Sequence, residues 1–226
     1  MEALLNEWIP HVMEKLPELF KCTWQTLYMM GVSGIISLAL GLVAGVVLIA
    51  VRRGGVLSNT VVYGILDKII NLFRSIPFII LLATLIPLTR AVAGTAIGTK
   101  GAILPLVFGT VPFFSRQVET ALSEVDAGLV EAAAAMGTSP VGIIFRVYLK
   151  ESIPSLVRVT TITLISLIGL TAMAGAIGGG GLGDFAIRYG HQRNQIDVTL
   201  VTVVILLFIV MVLQGIGDFI IKKTTH

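Results

Sequence analysis

Residues 131–140 read EAAAAMGTSP, a helix-prone run of small residues that closes on Gly137-Thr138-Ser139-Pro140. A glycine in the left-handed conformation commonly ends a helix. Ser-Pro then supplies an N-cap and a first-turn proline for the next one. The run therefore predicts a compact elbow between two short helices. Upstream, Asp126 is placed to cap AGLVEAAAAM (127–136), with its carboxylate against the positive end of the helix dipole. Downstream, PVGIIFRVYLKE (140–151) sets Ile143, Ile144, Val147 and Tyr148 in one apolar stripe and leaves Arg146 and Lys150 for water.

The elbow interrupts a chain made for lipid. Of 226 residues 55% are hydrophobic and only 13% are charged, and mean hydropathy is +0.95. Soluble domains carry about 25% charged residues, so this is an integral membrane protein, which the helical spans placed below make all-α. Its basic residues are scattered, which speaks against nucleic acid as a partner. The single Cys22 excludes an internal disulfide, and His11, His191 and His226 lie too far apart for a histidine-rich metal site.

A spanning helix needs about 20 apolar residues. Gaps between charges predict five spans, at about 22–51, 69–89, 96–115, 159–183 and 198–217. Spans two and three each hold a charge near one end and internal prolines (Pro77 and Pro87; Pro105 and Pro112), so they belong inside the bundle, where neighbouring helices satisfy the freed carbonyls. The N-terminal segment, residues 1–20, has Leu4, Leu5, Trp8, Ile9, Val12, Met13 and Leu16 at helical spacing and no basic n-region. It reads as an interfacial helix and not as a cleavable signal. With the loop after span one in the cytoplasm, ten of the 16 Lys and Arg residues fall on the cytoplasmic side and six outside. That bias predicts an outer N-terminus and a cytoplasmic C-terminus. Cys22 is then expected near the outer surface, and a cytoplasmic loop at about 117–158 contains the elbow. Ser33, Ser37, Gly41 and Gly45 in span one form a row of small residues that lets a second helix approach.

The pattern Glu131-Ala132-Ala133-xxx-Gly137, followed after nine residues by Val147-x-Leu149, resembles the EAA loop of ABC-importer permeases. One departure is Lys150, which takes the place of the usual proline; Pro154 follows four residues later. Asn71 to Leu82 (NLFRSIPFIILL) and Thr171 to Gly190 (TAMAGAIGGGGLGDFAIRYG) are similar to the methionine-importer group of that family, and together with the five-span layout the resemblance covers nearly the whole chain. It implies a type I importer permease fold and a bacterial inner-membrane location. It also implies a homodimer that carries two cytoplasmic ATPase subunits and receives methionine from an extracellular or periplasmic binding protein. ATP and magnesium would then sit on the partner, because the chain contains no Walker-type glycine loop. A permease for another small amino acid or a peptide is the alternative.

The resemblance makes Asp126, Glu131, Ala132, Ala133, Gly137, Ser139 and Pro140 the candidate ATPase-coupling residues. Candidates for the gate and the path are Met173, Thr160, Thr163, Ser166, Thr171, Arg74, Ser75 and Pro77. The four hydroxyl residues lie broadly on one face of span four, and membrane hydroxyls also bond the backbone one turn back. Arg74 near the cytoplasmic end of span two is placed to snorkel or to pair with Asp67. Met173 is a long, flexible side chain among Ala172, Ala174 and Gly175, suited to a hydrophobic constriction that blocks by dewetting.

Two further motifs lose their functional reading. Gly178-x-Gly180-x-x-Gly183 matches a dinucleotide fingerprint but follows a membrane helix instead of a strand, so a close-packed or flexible turn is expected. Gly31-x-Ser33-Gly34 resembles the nucleophile motif of intramembrane serine proteases, yet no histidine lies in any predicted span to serve as base.

Overall fold

In the computed structural model residues 8–224 are described, and among them there are helices and turns but no strand. The helices are α1 (Pro10–Glu14), α2 (Leu16–Val51), α3 (Thr60–Ser75), α4 (Phe78–Thr84), α5 (Ile86–Ala93) and α6 (Gly98–Ser123). They continue with α7 (Ala127–Ala135), α8 (Pro140–Ile143), α9 (Ile153–Ala174), α10 (Gly181–Phe185) and α11 (Ile196–Thr224). Leu16–Val51, Ile153–Gly179 and Ile196–Thr224 are long and apolar enough to cross a membrane. A fourth crossing is available if Ile86–Ala93 and Gly98–Ser123, bent by 119°, count as one broken span.

Span two departs from expectation. Residues 69–89 form no single helix but run through the end of α3, all of α4 and the start of α5. Pro77 has no amide hydrogen and forces the preceding Ile76 into extended backbone at φ −82°, ψ 122°. Pro87 opens α5 in the position where proline costs least. Inside α6, by contrast, Pro105 and Pro112 do not end the helix. The N-terminal helix departs too. Its residues 1–7, Leu4 and Leu5 included, lie outside the described residues; the remainder splits at Lys15, after which α2 runs without interruption into the first span.

The chain divides into two compact units. One comprises the residues up to Ile35, Pro77–Val107 and Leu164–Leu213. Its core is Val12, Leu19, Cys22, Leu182, Phe185 and Val198. Cys22 is therefore buried and not a surface thiol, because α2 turns it inward with Leu19. His11 fastens α1 to the start of α11: its amide and Nδ1 meet the Asp197 carboxylate at 3.0 and 3.1 Å. Of the close-packed or flexible turn expected after α9, the glycine-rich stretch is close-packed at Gly175, Gly179 and Gly183, while Ala176, Ile177 and Gly178 are exposed. Gln25 Oε1 accepts from the Gly181 amide at 2.9 Å, and Thr26 Oγ1 from Leu182 at 2.8 Å. A Cβ on Gly183 would stand 2.1 Å from the Ala172 carbonyl oxygen, so only glycine fits.

The other unit comprises Ile36–Ile76, Phe108–Thr163 and the chain from Gln214 onward. Its core joins Ile49 of α2, Phe114, Val118, Ala121 and Leu122 of α6, Ala133 of α7, and Ile143 and Tyr148 below the elbow. The small-residue row of α2 lets α6 approach: a Cβ on Gly41 would meet Phe114 Cδ1 at 2.7 Å, and one on Gly45 would meet Val118 at 2.5 Å. Close contact of this kind gains dispersion energy along both helices.

Candidate functional site: the helical elbow

The elbow is built by capping at both ends. Asp126 Oδ1 accepts from the Gly128 amide at 2.6 Å and opens α7. At the other end Gly137 takes φ +79°. Its amide donates to Ala134 O at 2.9 Å, and the Thr138 amide reaches Ala133 O at 3.0 Å. This is a Schellman closure, and it satisfies carbonyls that the helix end would leave open. Ser139 Oγ accepts from the Gly142 amide at 3.2 Å, with Pro140 in the first turn of α8. From Ile144 to Tyr148 the helix widens into a π turn before Leu149–Glu151. Ile143, Ile144 and Tyr148 are buried, while Arg146 and Lys150 are exposed.

The two faces of α7 differ sharply. Ala133 turns inward and packs in the core with Val118, Leu122 and Tyr148. Glu131 and Ala132 are exposed. So are Leu129 (49%), Met136 (78%), Val141 (59%) and Phe145 (66%), which leaves apolar side chains outward on both arms of a polar-edged loop. Beside the start of α7 an open cavity of about 270 Å³ is lined by Ala121, Glu124, Asp126, Leu129, Glu151 and Ser155, among others. Its wall is held by Ser155 Oγ donating to Glu124 at 2.5 Å and Ser152 Oγ to Ala121 O at 3.3 Å.

The candidate path residues do not come together as a set. Thr163 and Thr171 are buried, and their hydroxyls donate to Val159 O and Ile168 O at 2.7 Å each. Thr160 is half-buried and Ser166 is exposed. The shared polar face expected of span four is thus divided, because the backbone one turn back takes the two inner hydroxyls. Met173 is 38% exposed, on the same side of α9 as Ser166 and Gly169. Arg74, Ser75 and Pro77 are exposed, and Ser75 Oγ bonds Leu72 O at 2.8 Å. Arg74 does not pair with Asp67. The Asp67 carboxylate is engaged by Arg116, a residue that sequence reasoning counted only as a topology charge. The i,i+3 spacing of Arg116 and Glu119 is the one signal in the sequence for an ion pair on α6, and it says nothing of the partner on α3.

The family described as binding-protein-dependent transport system inner membrane component matches residues 37–226. A Vibrio cholerae protein named "Probable D-methionine transport system permease protein MetI" is 46% identical over 208 residues, 92% of each chain. The Bacillus subtilis "Methionine import system permease protein MetP" is 43% identical over 217 residues, covering 96% of this chain and 97% of its own. Among solved structures, a chain of an inward-facing MetNI methionine ABC transporter superimposes with a TM-score of 0.92 at 43% identity, over 94% of this chain and 99% of its own. An amino acid ABC transporter shares the fold at a TM-score of 0.78 and 15% identity. The chain belongs to the binding-protein-dependent transport system inner membrane components and has the all-helical membrane fold of ABC-importer permeases.

Proposed function

We propose that this chain is the permease subunit of an ATP-driven methionine importer and that the elbow of α7 and α8 is where ATP-driven motion enters it. The observation that carries the reading is the elbow itself: a rigidly capped helix, anchored through Ala133, that turns Glu131, Leu129 and Met136 outward. Near-full-length identity to proteins named for methionine transport supports the substrate.

In this reading two copies form the path across a two-fold axis. Two cytoplasmic ATPase subunits bind ATP and magnesium and seat the elbows, and a binding protein outside delivers L-methionine, D-methionine or a derivative. Closing of the ATPase pair draws the elbows together and swings the spans from inward-open to outward-open; hydrolysis resets them. The permease itself performs no hydrolysis. Asp126, Ser139 and Pro140 shape the elbow, Glu131 and Ala132 face the ATPase, and Met173 with Ser166 meets the second copy. The N-terminus lies outside and the C-terminus in the cytoplasm.

Reconstitution tests this. The chain, purified with its ATPase subunits in liposomes, is expected to take up radiolabelled methionine only with ATP and the binding protein present. Uptake of another amino acid or a peptide with no uptake of methionine would replace the substrate assignment. Orientation is tested in a Cys22→Ala background, where an impermeant thiol reagent outside the cell is expected to label Arg193→Cys and spare Ser139→Cys.

A further inference from the structure

Helix α7 of the elbow does not stand alone. Three residues, Glu124–Asp126, separate α7 from α6, and Ala133 packs in one core with Val118 and Leu122 of α6, so the lower part of α6 and the elbow form one body. Helix α3 is attached to that body by a different chemistry. Of its 16 residues only Ile70 is buried, and Val61, Ile65, Ile69 and Leu72 are exposed. Apolar packing therefore holds α3 weakly.

Polar rungs hold it instead, in antiparallel order. The Tyr63 hydroxyl donates to Glu119 Oε1 at 3.0 Å. One turn on, Arg116 donates through Nη1 to Glu119 at 2.5 Å and through Nη2 to Asp67. Asn71 accepts from Arg116 Nη2 at 3.4 Å and donates to Asp67 at 3.2 Å. The one ring contact beside these polar rungs is Phe73 against Phe108, with centroids 5.8 Å apart. Arg116 and Glu119 side chains are only 18% and 12% exposed and that of Asp67 is 32% exposed, so the guanidinium joins one shielded carboxylate on its own helix to a partly shielded one on α3, and among the described residues no second cation is paired with either. Its removal leaves the two carboxylates with neutral hydrogen-bond donors only and no counter-charge between them. Beyond Ser75 the helix ends at the extended Ile76–Pro77 step, so α3 is not braced by a continuing helix.

We propose that Arg116 is a positioning residue for energy coupling: it clamps α3 to the α6–elbow body, so that displacement of the elbow by the ATPase moves Thr60–Ser75 with it. The proposal rests on the coupling role of the elbow and is tested in the whole transporter, with its ATPase subunits and binding protein, in liposomes. Arg116→Gln is expected to keep its ATPase subunits and its ATP hydrolysis while methionine carried per ATP falls about tenfold. The exchange of Arg116→Asp with Asp67→Arg is expected to recover most of that ratio, where Arg116→Asp alone does not. Tyr63→Phe removes one hydrogen bond and no charge, and is expected to lower the ratio about threefold. It decides the matter in an assembled complex should Arg116→Gln not accumulate. An unchanged ratio in Tyr63→Phe or in an assembled Arg116→Gln, or an exchange no better than Arg116→Asp alone, overturns the proposal. Failure of the elbow reading is distinguishable, because it appears as unaltered ATPase retention with unaltered uptake in Glu131→Ala whatever Arg116 does.

Discussion

Two glycine-bearing connections in this chain, the turn from Gly175 to Gly183 and the elbow from Ala127 to Pro140, use similar residues to opposite ends. In the first, glycine permits contact as well as positive φ, the latter at Gly178, Gly180 and Gly181. Gly175 and Gly183 have backbone where a Cβ would sit, and Leu182 and Phe185 are fully buried. In the second, glycine permits only a backbone angle. Gly137 has φ +79°, a Cβ added to it would meet nothing within 4 Å, and Met136 beside it is 78% exposed. A turn whose glycines pack against backbone, as at Gly175 and Gly183, stabilises its own unit. A turn that is equally well defined but faces outward presents its geometry to the surroundings of the chain, as the proposed docking of an ATPase subunit requires.

The comparison breaks at its strongest point if Gly183→Ala is tolerated. The added carbon lies 2.1 Å from the Ala172 oxygen, and overpacking against backbone is expected to cost about 3 kcal/mol. A lower thermal midpoint in detergent and reduced membrane accumulation would register it. Gly137→Val is expected to cost about 1–2 kcal/mol of local strain, since a β-branched residue is forced to positive φ. It should reach the membrane normally yet lose methionine uptake by about tenfold or more. Full uptake would remove the elbow from the coupling path.

Met173 sharpens the contrast from the other side, as an exposed side chain two residues before the close-packed turn. Met173→Ala is expected to leave assembly intact and to let small solutes or ions cross without ATP, as measured by dye or ion flux from loaded liposomes. A tight variant would return Met173 to ordinary helix packing. The smallest structural effect is expected of Glu131→Ala, within about 0.5 kcal/mol because the side chain is exposed. Its effect belongs at the docking surface, as weaker co-purification of the ATPase subunit; undiminished co-purification with undiminished uptake would count against docking through this face.

Membrane class and elbow were legible in the residues because both rest on local rules. A charge deficit of this size leaves no soluble alternative, and Asp126, Gly137, Ser139 and Pro140 each specify a cap or a turn through near neighbours in sequence. The row Ser33, Ser37, Gly41 and Gly45 announced close helix approach for the same reason, since its periodicity is that of one helix face. Hydropathy, however, counts apolar residues without regard to backbone continuity. It therefore joined residues 69–89 into one span that the Ile76–Pro77 step and Pro87 divide into three helices.

Partner choice was decided by the tertiary structure. Asp67 had Arg74 two turns away on its own helix, yet Arg116, 49 residues distant, holds it, because α3 runs antiparallel along α6 and turns that carboxylate to it. Cys22 looked like an outer-surface thiol from its place before a span and is buried with Leu182 and Phe185, which lie some 160 residues further along the chain. Thr163 and Thr171 shared a helix face with Ser166 on paper, but the packing of α9 turns them inward onto their own backbone. Local chemistry determined where this chain bends and that it lives in lipid. Which charge meets which, and which side chains remain free to meet another molecule, follows from helix packing between segments distant in sequence, and no local pattern records that.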